Sequence, residues 1–234
     1  MARARVAVGV FSELLLTLGV LLLLFVAYQL FYTSVLANRA MSDETAQLER
    51  AWAAAGGGHE RAAAPAQPYT GTGFAIIHIP RLGKNLPVLQ GTDLATLAKG
   101  IGHYKNTAMP GDVGDFAVAG HRKTHGDPFL AFPQLRVGDP VVIETATAWY
   151  TYVIDVAPYI TSPDDMAAIA PVPDHSGVTP TERLITLTTC NPWWAHYQRM
   201  VAHGHLVDER PRAAGPPPVL PGSAHPAVLG GLEK

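Results

Sequence analysis

Residues 183–207 read RLITLTTCNPWWAHYQRMVAHGHLV, two runs of apolar and β-branched residues separated by an Asn-Pro turn and an aromatic loop. Such runs, bounded by turn residues, predict two strands. Alternation along the first strand sends Thr188 and Cys190 to one face and Thr189 to the other. The second strand begins near Arg199. If the two strands pair, Arg199 comes close to Cys190.

The region before this segment contains more short strand patterns, each bounded by Gly, Pro, Asn or Asp. They are GFAIIHI at 73–79, PVLQ at 87–90, DFAVAGH at 115–121, PVVIET at 140–145 and WYTYVIDV at 149–156. A short helical pattern at 93–100 follows Thr92, which we expect to be its N-cap. The number and spacing of the strands predict an all-β domain over residues 73–209, a closed or nearly closed β-barrel.

The N-terminal part of the chain predicts one transmembrane helix over residues 10–36. Its longest charge-free part, 14–36, is long enough to cross a hydrocarbon core of roughly 30 Å. Arg3 and Arg5 precede the helix, so the positive-inside rule predicts a cytoplasmic N-terminus over 1–9 and an extracytoplasmic barrel. The sequence therefore predicts a single-pass protein of the cell membrane.

A cleaved signal peptide is the alternative, because Val35-Leu36-Ala37 resembles a cleavage site. The apolar region is, however, about twice the usual length for such a peptide. Residues 37–72 are rich in Ala, Gly and Pro and predict an extracytoplasmic spacer whose first part could continue as a helix. Residues 210–234 carry six prolines and no apolar periodicity, which predicts a disordered tail.

The charge of the chain argues against nucleic-acid binding. The formal net charge is −2, and the 17 lysines and arginines are scattered. There is no basic stripe with interleaved aromatic residues and no zinc-finger spacing. We therefore expect no nucleic-acid partner.

Cys190 is the only cysteine of the chain, so an extracytoplasmic domain would hold it as an unpaired thiol. Such a residue is most often a small buried hydrophobe. Here the Asn-Pro turn places it at a rim rather than in the middle of the core. Arg199 could stabilise an oxyanion beside the thiol, and His121 in the AGHR motif could carry a proton. These three residues would supply the chemistry of a cysteine acyltransferase.

Three motifs of this chain, in the order in which they occur, resemble those of the sortases, the membrane-anchored cysteine transpeptidases of Gram-positive bacteria. The TLxTC motif lies at 186–190, the arginine that follows it is Arg199, and the histidine motif lies at 119–122. The patterns GHRxTxGxPF, LxxGD and WxTY are most similar to class E, the housekeeping type of high-GC actinobacteria. The resemblance covers 73–207 and implies a sortase-like barrel of about eight strands with short helices.

The resemblance also implies a chemistry. Cys190 would attack the threonine carbonyl of a C-terminal sorting signal on a secreted protein, and His121 would protonate the departing glycine amine while Arg199 holds the oxyanion. An amine of a lipid-linked cell-wall peptide precursor would then resolve the thioester. Thr189 matches a family threonine that positions the substrate. Tyr104 lies where a contact could select Leu-Ala-x-Thr-Gly over Leu-Pro-x-Thr-Gly. The implied reaction uses no cofactor.

Two other function classes stay open: an anchored cysteine hydrolase that only cleaves, and a catalytically silent binding module of the cell envelope. Transfer to an amine would separate a transpeptidase from the hydrolase. His203 and His205 share a strand face and could bind zinc with Cys190, but no Cys-x-x-Cys or His-Glu-x-x-His pattern supports a metal. The acidic residues of 163–182 do not indicate calcium. We predict no metal site.

No carboxylate near His121 in sequence is expected to act with it. Asp112, Asp115 and Asp127 lie among glycines and are interpreted as turn residues. Arg122 and Lys123, directly after the histidine, are predicted to be solvated charges.

Overall fold

The computed structural model describes residues 2–54, 73–173 and 180–220. Eight strands of this part of the chain close into one barrel in the order β1-β2-β3-β4-β7-β8-β6-β5. They are β1 Gly73–Ile79, β2 Lys84–Gln90, β3 Ile101–His103, β4 Gly114–Gly120, β5 Pro140–Thr145, β6 Ala148–Thr161, β7 Arg183–Asn191 and β8 Gln198–Pro211. Antiparallel pairing of β1 with β5 completes the closure. The predicted all-β closed barrel is confirmed.

The strands β4, β7 and β8 position the predicted site residues. The strands β4 and β7 are parallel, and their register ends with Gly120 opposite Thr189. Because parallel strands end at the same edge of a sheet, His121 and Cys190, which follow these two residues, reach the same rim. The strand β8 runs antiparallel to β7 and places Arg199 directly opposite Cys190.

The barrel interior is filled by the alternating apolar side chains of these strands. The contributions of β4, β7 and β8 to the main core are Phe116, Val118, Ile185, Leu187, Met200 and Ala202. Cys190 is half-buried and is not a member of this core. This position at the rim favours an accessible thiol over a small buried hydrophobe as the interpretation of Cys190.

The N-terminal helix α1 extends over Ala2–Ala54 without interruption. Its segment Val8–Val26 is long and apolar enough to cross a membrane. The helix therefore continues through 37–54, the first part of the predicted spacer, while 55–72 lies outside the described residues. A stripe of its side chains is buried against the barrel, consisting of Ala37, Met41, Leu48 and Trp52. The spacing of this stripe matches one face of an α-helix.

The short helix α2 covers Leu94–Leu97, and its N-cap is Asp93 rather than the expected Thr92. The Asp93 carboxylate accepts hydrogen bonds from the backbone N–H groups of Ala95 and Thr96 at 3.1 and 3.0 Å. The carboxylate of Asp93, one residue after Thr92, is well placed to accept hydrogen bonds from the N–H groups that have no partner within the first turn of the helix. Short 3₁₀ helices occupy Pro80–Leu82, Phe132–Gln134, Met166–Ile169 and Arg212–Ala214.

The start of the predicted disordered tail is ordered against the barrel. The strand β8 continues to Pro211, and the Arg212 guanidinium donates to Glu144 Oε1 at 2.9 Å. Leu220 is 9% exposed and packs with Val142 and Trp149. Composition suggested disorder because proline is frequent here, but these contacts give residues 210–220 a fixed position. Residues 221–234 lie outside the described residues.

Candidate active site

A groove of about 430 Å³ lies at the rim where β4 and β7 end and β8 begins. All five residues singled out from the sequence line it: Tyr104, His121, Thr189, Cys190 and Arg199. One wall is apolar and includes Leu94 and Leu97 of α2 and Ile169 of the loop between β6 and β7. The groove thus combines a polar floor, which contains a thiol and an imidazole, with an apolar wall.

The Arg199 guanidinium is held at the start of β8 by two backbone carbonyl groups. Arg199 is the register partner of Cys190 across the antiparallel pair. Its Nη1 atom donates to the carbonyl oxygen of His196 at 2.9 Å and to that of Gln198 at 3.1 Å. The side chain therefore keeps further donors for a ligand in the groove, since a guanidinium has five N–H groups.

His121 follows β4 in an environment that favours the neutral imidazole. Burial lowers its pKa, and the neighbouring His125 lowers the pKa further. The two rings stack with their centroids 4.6 Å apart. The Nε2 atom of His121 is buried and has no hydrogen-bond partner among the described residues. A neutral ring with a free nitrogen can accept a proton or donate one. The sequence drew attention to His125 only as a possible metal ligand, because its contact with His121 depends on the fold of the loop.

Two threonine hydroxyls fix the floor of the groove. Thr189 Oγ1 donates to the carbonyl oxygen of Gly120 at 2.8 Å, which ties the end of β7 to the residue before the histidine. Thr188 Oγ1 donates to the Val118 carbonyl at 3.1 Å, so the Tyr104 hydroxyl, 3.2 Å away, donates to Thr188 Oγ1. Thr188 was placed on this face by the sequence but was not recognised as the support of Tyr104.

The prediction that Arg122 is solvated was wrong. The residue is 9% exposed, and its Nη1 atom donates to Asn191 Oδ1 at 2.7 Å and to the Cys190 carbonyl at 3.4 Å. The reason is that the end of β7 offers two acceptors next to the chain that leaves β4. Lys123 behaves as expected, since its side chain is 39% exposed and pairs with Asp127 at 3.2 Å.

The family of the chain follows from comparison with known proteins. The family model described as "Sortase domain" matches residues 77–207, more than half of the chain. The chain belongs to the sortase family. Members of this family are cysteine transpeptidases, and this sortase contains a single cysteine.

Similar proteins include class E sortases of Streptomyces. Sortase E1 of Streptomyces coelicolor is 39% identical over 94% of this chain, and the chain spans 64% of that relative's length. Sortase E2 of the same organism is 33% identical over 87% of this chain and 83% of its own length. The sequence resemblance to class E is thereby confirmed.

Solved structures agree with the barrel. The structure of sortase E from Streptomyces avermitilis is 50% identical, covers 65% of this chain and 99% of its own, and has a TM-score of 0.59. The crystal structure of Streptomyces coelicolor sortase E1 with a tripeptide in the active site has a TM-score of 0.60, at 39% identity and with 65% and 99% of the two chains covered.

Asp115 of this sortase is not a turn residue, contrary to the prediction. It lies fully buried in β4, and its Oδ1 atom accepts a hydrogen bond from Thr186 Oγ1 at 2.9 Å. Burial raises its pKa to about 7, although the Thr186 hydroxyl acts in the opposite direction. Asp115 precedes His121 by six residues of extended chain, roughly 20 Å, so it is not a carboxylate partner of the histidine.

The histidines considered for a metal have other partners in this sortase. His203 Nδ1 lies 2.8 Å from Thr186 Oγ1, and His203 Nε2 lies 2.9 Å from the Tyr159 hydroxyl. His205 Nδ1 lies 2.9 Å from Asp155 Oδ2. Within the described residues, no group of three or more His, Cys, Asp or Glu side chains is arranged to hold a metal ion.

Proposed function

We propose that this chain is a membrane-anchored sortase that cuts a C-terminal sorting signal between Thr and Gly and joins the new carboxyl end to a cell-wall peptide precursor. The observation that carries this proposal is the register of three strand ends. Arg199 lies opposite Cys190 on the β7–β8 pair. His121 comes directly after the neighbouring strand β4 and lines the same groove. A binding module has no need for this combination of a thiol, an imidazole and a guanidinium.

In the first step, Cys190 is the nucleophile. Its thiolate attacks the threonine carbonyl carbon, and the Arg199 guanidinium stabilises the negative charge on the carbonyl oxygen. The carbon–nitrogen bond to glycine then breaks, and the imidazolium of His121 gives its proton to the leaving amine. A thioester on Cys190 results. The environment that lowers the His121 pKa makes its imidazolium a good proton donor.

The second step reverses the proton transfers. The acceptor amine attacks the thioester, His121 takes a proton from it as base, and the Cys190 sulfur leaves as thiolate. Because the lowered His121 pKa disfavours the imidazolium, only part of the population holds the thiolate and imidazolium together. We therefore expect slow turnover.

The groove favours an apolar peptide with a small second residue. Leu94, Leu97 and Ile169 offer a surface for the leucine side chain of a sorting signal. Tyr104, fixed through Thr188, is proposed to select Leu-Ala-x-Thr-Gly over Leu-Pro-x-Thr-Gly. The tripeptide in the active site of the related sortase E1 supports a peptide ligand.

The proposed location is the outer face of the cell membrane. Helix α1 provides the candidate span Val8–Val26, and Arg3 and Arg5 precede it. Basic residues on the N-terminal side favour a cytoplasmic N-terminus and an extracytoplasmic barrel. In this position the groove can reach secreted proteins and a lipid-linked amine acceptor.

The test uses the full chain in detergent with a Leu-Ala-x-Thr-Gly peptide, with and without a glycine-type amine. We expect Cys190-dependent cleavage that yields the amide when the amine is present, slower cleavage of the Leu-Pro-x-Thr-Gly peptide, and a smaller difference between the two peptides for Tyr104→Ala. The Cys190→Ala variant is the control. If the product is always the acid, the chain is a hydrolase. If a folded protein with a free thiol cuts neither peptide, the proposal fails.

A further inference from the structure

A chain of three polar side chains runs behind the groove. Arg122 follows the groove histidine in sequence, Asn191 follows the cysteine, and Gln198 precedes the arginine. Arg122 Nη1 donates to Asn191 Oδ1 at 2.7 Å, and Asn191 Nδ2 donates to Gln198 Oε1 at 2.7 Å. Each residue of this network is therefore adjacent in sequence to one residue of the groove.

The network begins where backbone pairing between β4 and β7 stops. The register of these strands ends at Gly120 and Thr189. The next pair of positions holds His121 and Cys190, and the contact between Arg122 and Asn191 follows one position later. The histidine and the cysteine thus lie between a backbone pair on one side and a side-chain hydrogen bond on the other. Without that hydrogen bond, the spacing between the two chains beyond Gly120 would be less restricted.

Arg122 also adds a positive charge near the thiol. Burial lowers its pKa, and a charge on Cys190 raises it, so the guanidinium and a thiolate attract each other. An arginine keeps its proton even when partly buried. Arg122 as a residue is only 9% exposed, and placing its charge there is costly unless its partners compensate for lost hydration. Here the Nε atom has no hydrogen-bond partner among the described residues. The placement is therefore poorly explained by stability alone.

We infer that Arg122 is a positioning residue that holds His121, Cys190 and Arg199 in register through Asn191 and Gln198. This inference rests on the proposed function for its effect on turnover. The described residues that line the groove do not include Arg122, Asn191 or Gln198. The network therefore acts through its neighbours and does not bind the peptide itself.

The first test compares Arg122→Met with Lys123→Met in the full chain in detergent. The control removes the next charge along the chain, whose side chain is 39% exposed and pairs with Asp127. We expect Arg122→Met to lower kcat on the sorting peptide roughly 10- to 100-fold with KM changed less than about 3-fold, because small misplacements of reacting groups are costly. Lys123→Met should keep both constants. A kcat for Arg122→Met within about 2-fold of wild type overturns the inference.

The second test measures hydrogen exchange of the backbone amides of residues 188–200 by mass spectrometry. If Arg122 holds these strand ends in register, Arg122→Met should exchange there at least about 5-fold faster than wild type, while Lys123→Met should not. Arg122→Lys should not restore slow exchange, because lysine cannot reproduce the planar guanidinium contacts. Unchanged exchange in Arg122→Met overturns the inference. This assay needs no peptide, so it decides the point even if the wild type cuts no sorting signal and the proposed function fails.

A double-mutant cycle tests the network itself. If Arg122 acts through Asn191, the kcat of the double variant Arg122→Met, Asn191→Ala should match that of the worse single variant. Losses that multiply would show that the two side chains act independently and would overturn the network. If Arg122→Met does not fold, Gln198→Met decides instead, because it breaks the second link at a half-buried position. A wild-type kcat for Gln198→Met would contradict the inference.

Discussion

Two buried ionisable residues give this sortase opposite responses to pH. Burial lowers the pKa of His103 from 6.5 to about 4, while its hydrogen bond with the Ala108 carbonyl raises it. The unfolded chain takes up a proton there that the folded chain does not, so this contribution to stability is lost as the pH falls from 6.5 through 4. For Asp115, burial raises the pKa from 3.8 to about 7. The folded chain keeps a proton that the unfolded chain releases, so stability is lost as the pH rises through 7.

The Asp115→Asn variant tests this assignment. The amide cannot ionise, so the variant should not lose the stability that wild type loses as the pH rises from 5 to 8. The difference in stability between variant and wild type should therefore shift in favour of the variant by roughly 2 kcal/mol, or about 5 °C in Tm, over this pH range. The measurement is thermal unfolding followed by tryptophan fluorescence at both pH values. Asp164→Asn, at an exposed position, is the control and should show no such difference. Equal Tm changes for Asp115→Asn at pH 5 and pH 8 would contradict the buried, protonated carboxyl.

At the scale of single residues, the sequence predicted those positions that strand alternation controls. The pairing of Cys190 with Arg199 could be predicted because the sequence shows both strands and the turn between them. The burial of Arg122 and Asp115 was not predictable. Whether a charged side chain is buried depends on which distant strand packs beside it, and the parallel pairing of β4 with β7 leaves no local signal.

At the scale of elements, helix α1 is a part of the barrel domain as well as a candidate membrane span. Leu48 and Trp52 pack with Ile76 of β1, and the Arg212 guanidinium lies 5.0 Å from the centroid of the Trp52 ring. A carboxylate oxygen of Glu44 accepts a hydrogen bond from the backbone N–H of Gly73. The helix therefore contacts both the beginning and the end of the barrel sequence.

This docking predicts that substitutions in the helix destabilise the barrel. Leu48→Ala and Trp52→Ala should each cost roughly 2–4 kcal/mol, because each removes a buried side chain from a packed interface. The Gln47→Ala control lies on the exposed face and should change stability by less than about 0.5 kcal/mol. Thermal unfolding of the full chain measures all three. If the buried and exposed substitutions have the same effect, the helix does not pack on the barrel.

The sequence predicted long, strongly patterned elements better than short ones. The strand β3 has three residues, IGH, which is too short for a periodic pattern. The continuation of α1 through 37–54 could be anticipated, but its buried stripe could not, because its partners lie in β1 and in the segment after β4. The order of residues 210–220 depends on Leu220 packing against Trp149, a contact between distant parts of the chain.

For the whole molecule, α1 connects the candidate span to the loop that carries His121. A Cβ atom on Gly126 would come within 2.6 Å of Met41 Cε, so the helix passes directly beside this loop. Met41 follows the end of the candidate span, Val26, by 15 residues, roughly 22 Å of α-helix. The helix therefore sets the distance between the groove and the candidate membrane span.

In the proposed reaction Cys190 carries the acyl group between donor and acceptor. Intact-mass analysis of the full chain mixed with a Leu-Ala-x-Thr-Gly peptide tests this role. We predict an adduct on Cys190 equal to the peptide fragment ending in threonine, which disappears when a glycine-type amine is added and is absent in Cys190→Ala. Peptide cleavage without an adduct on Cys190, or with equal rate in Cys190→Ala, would contradict the account.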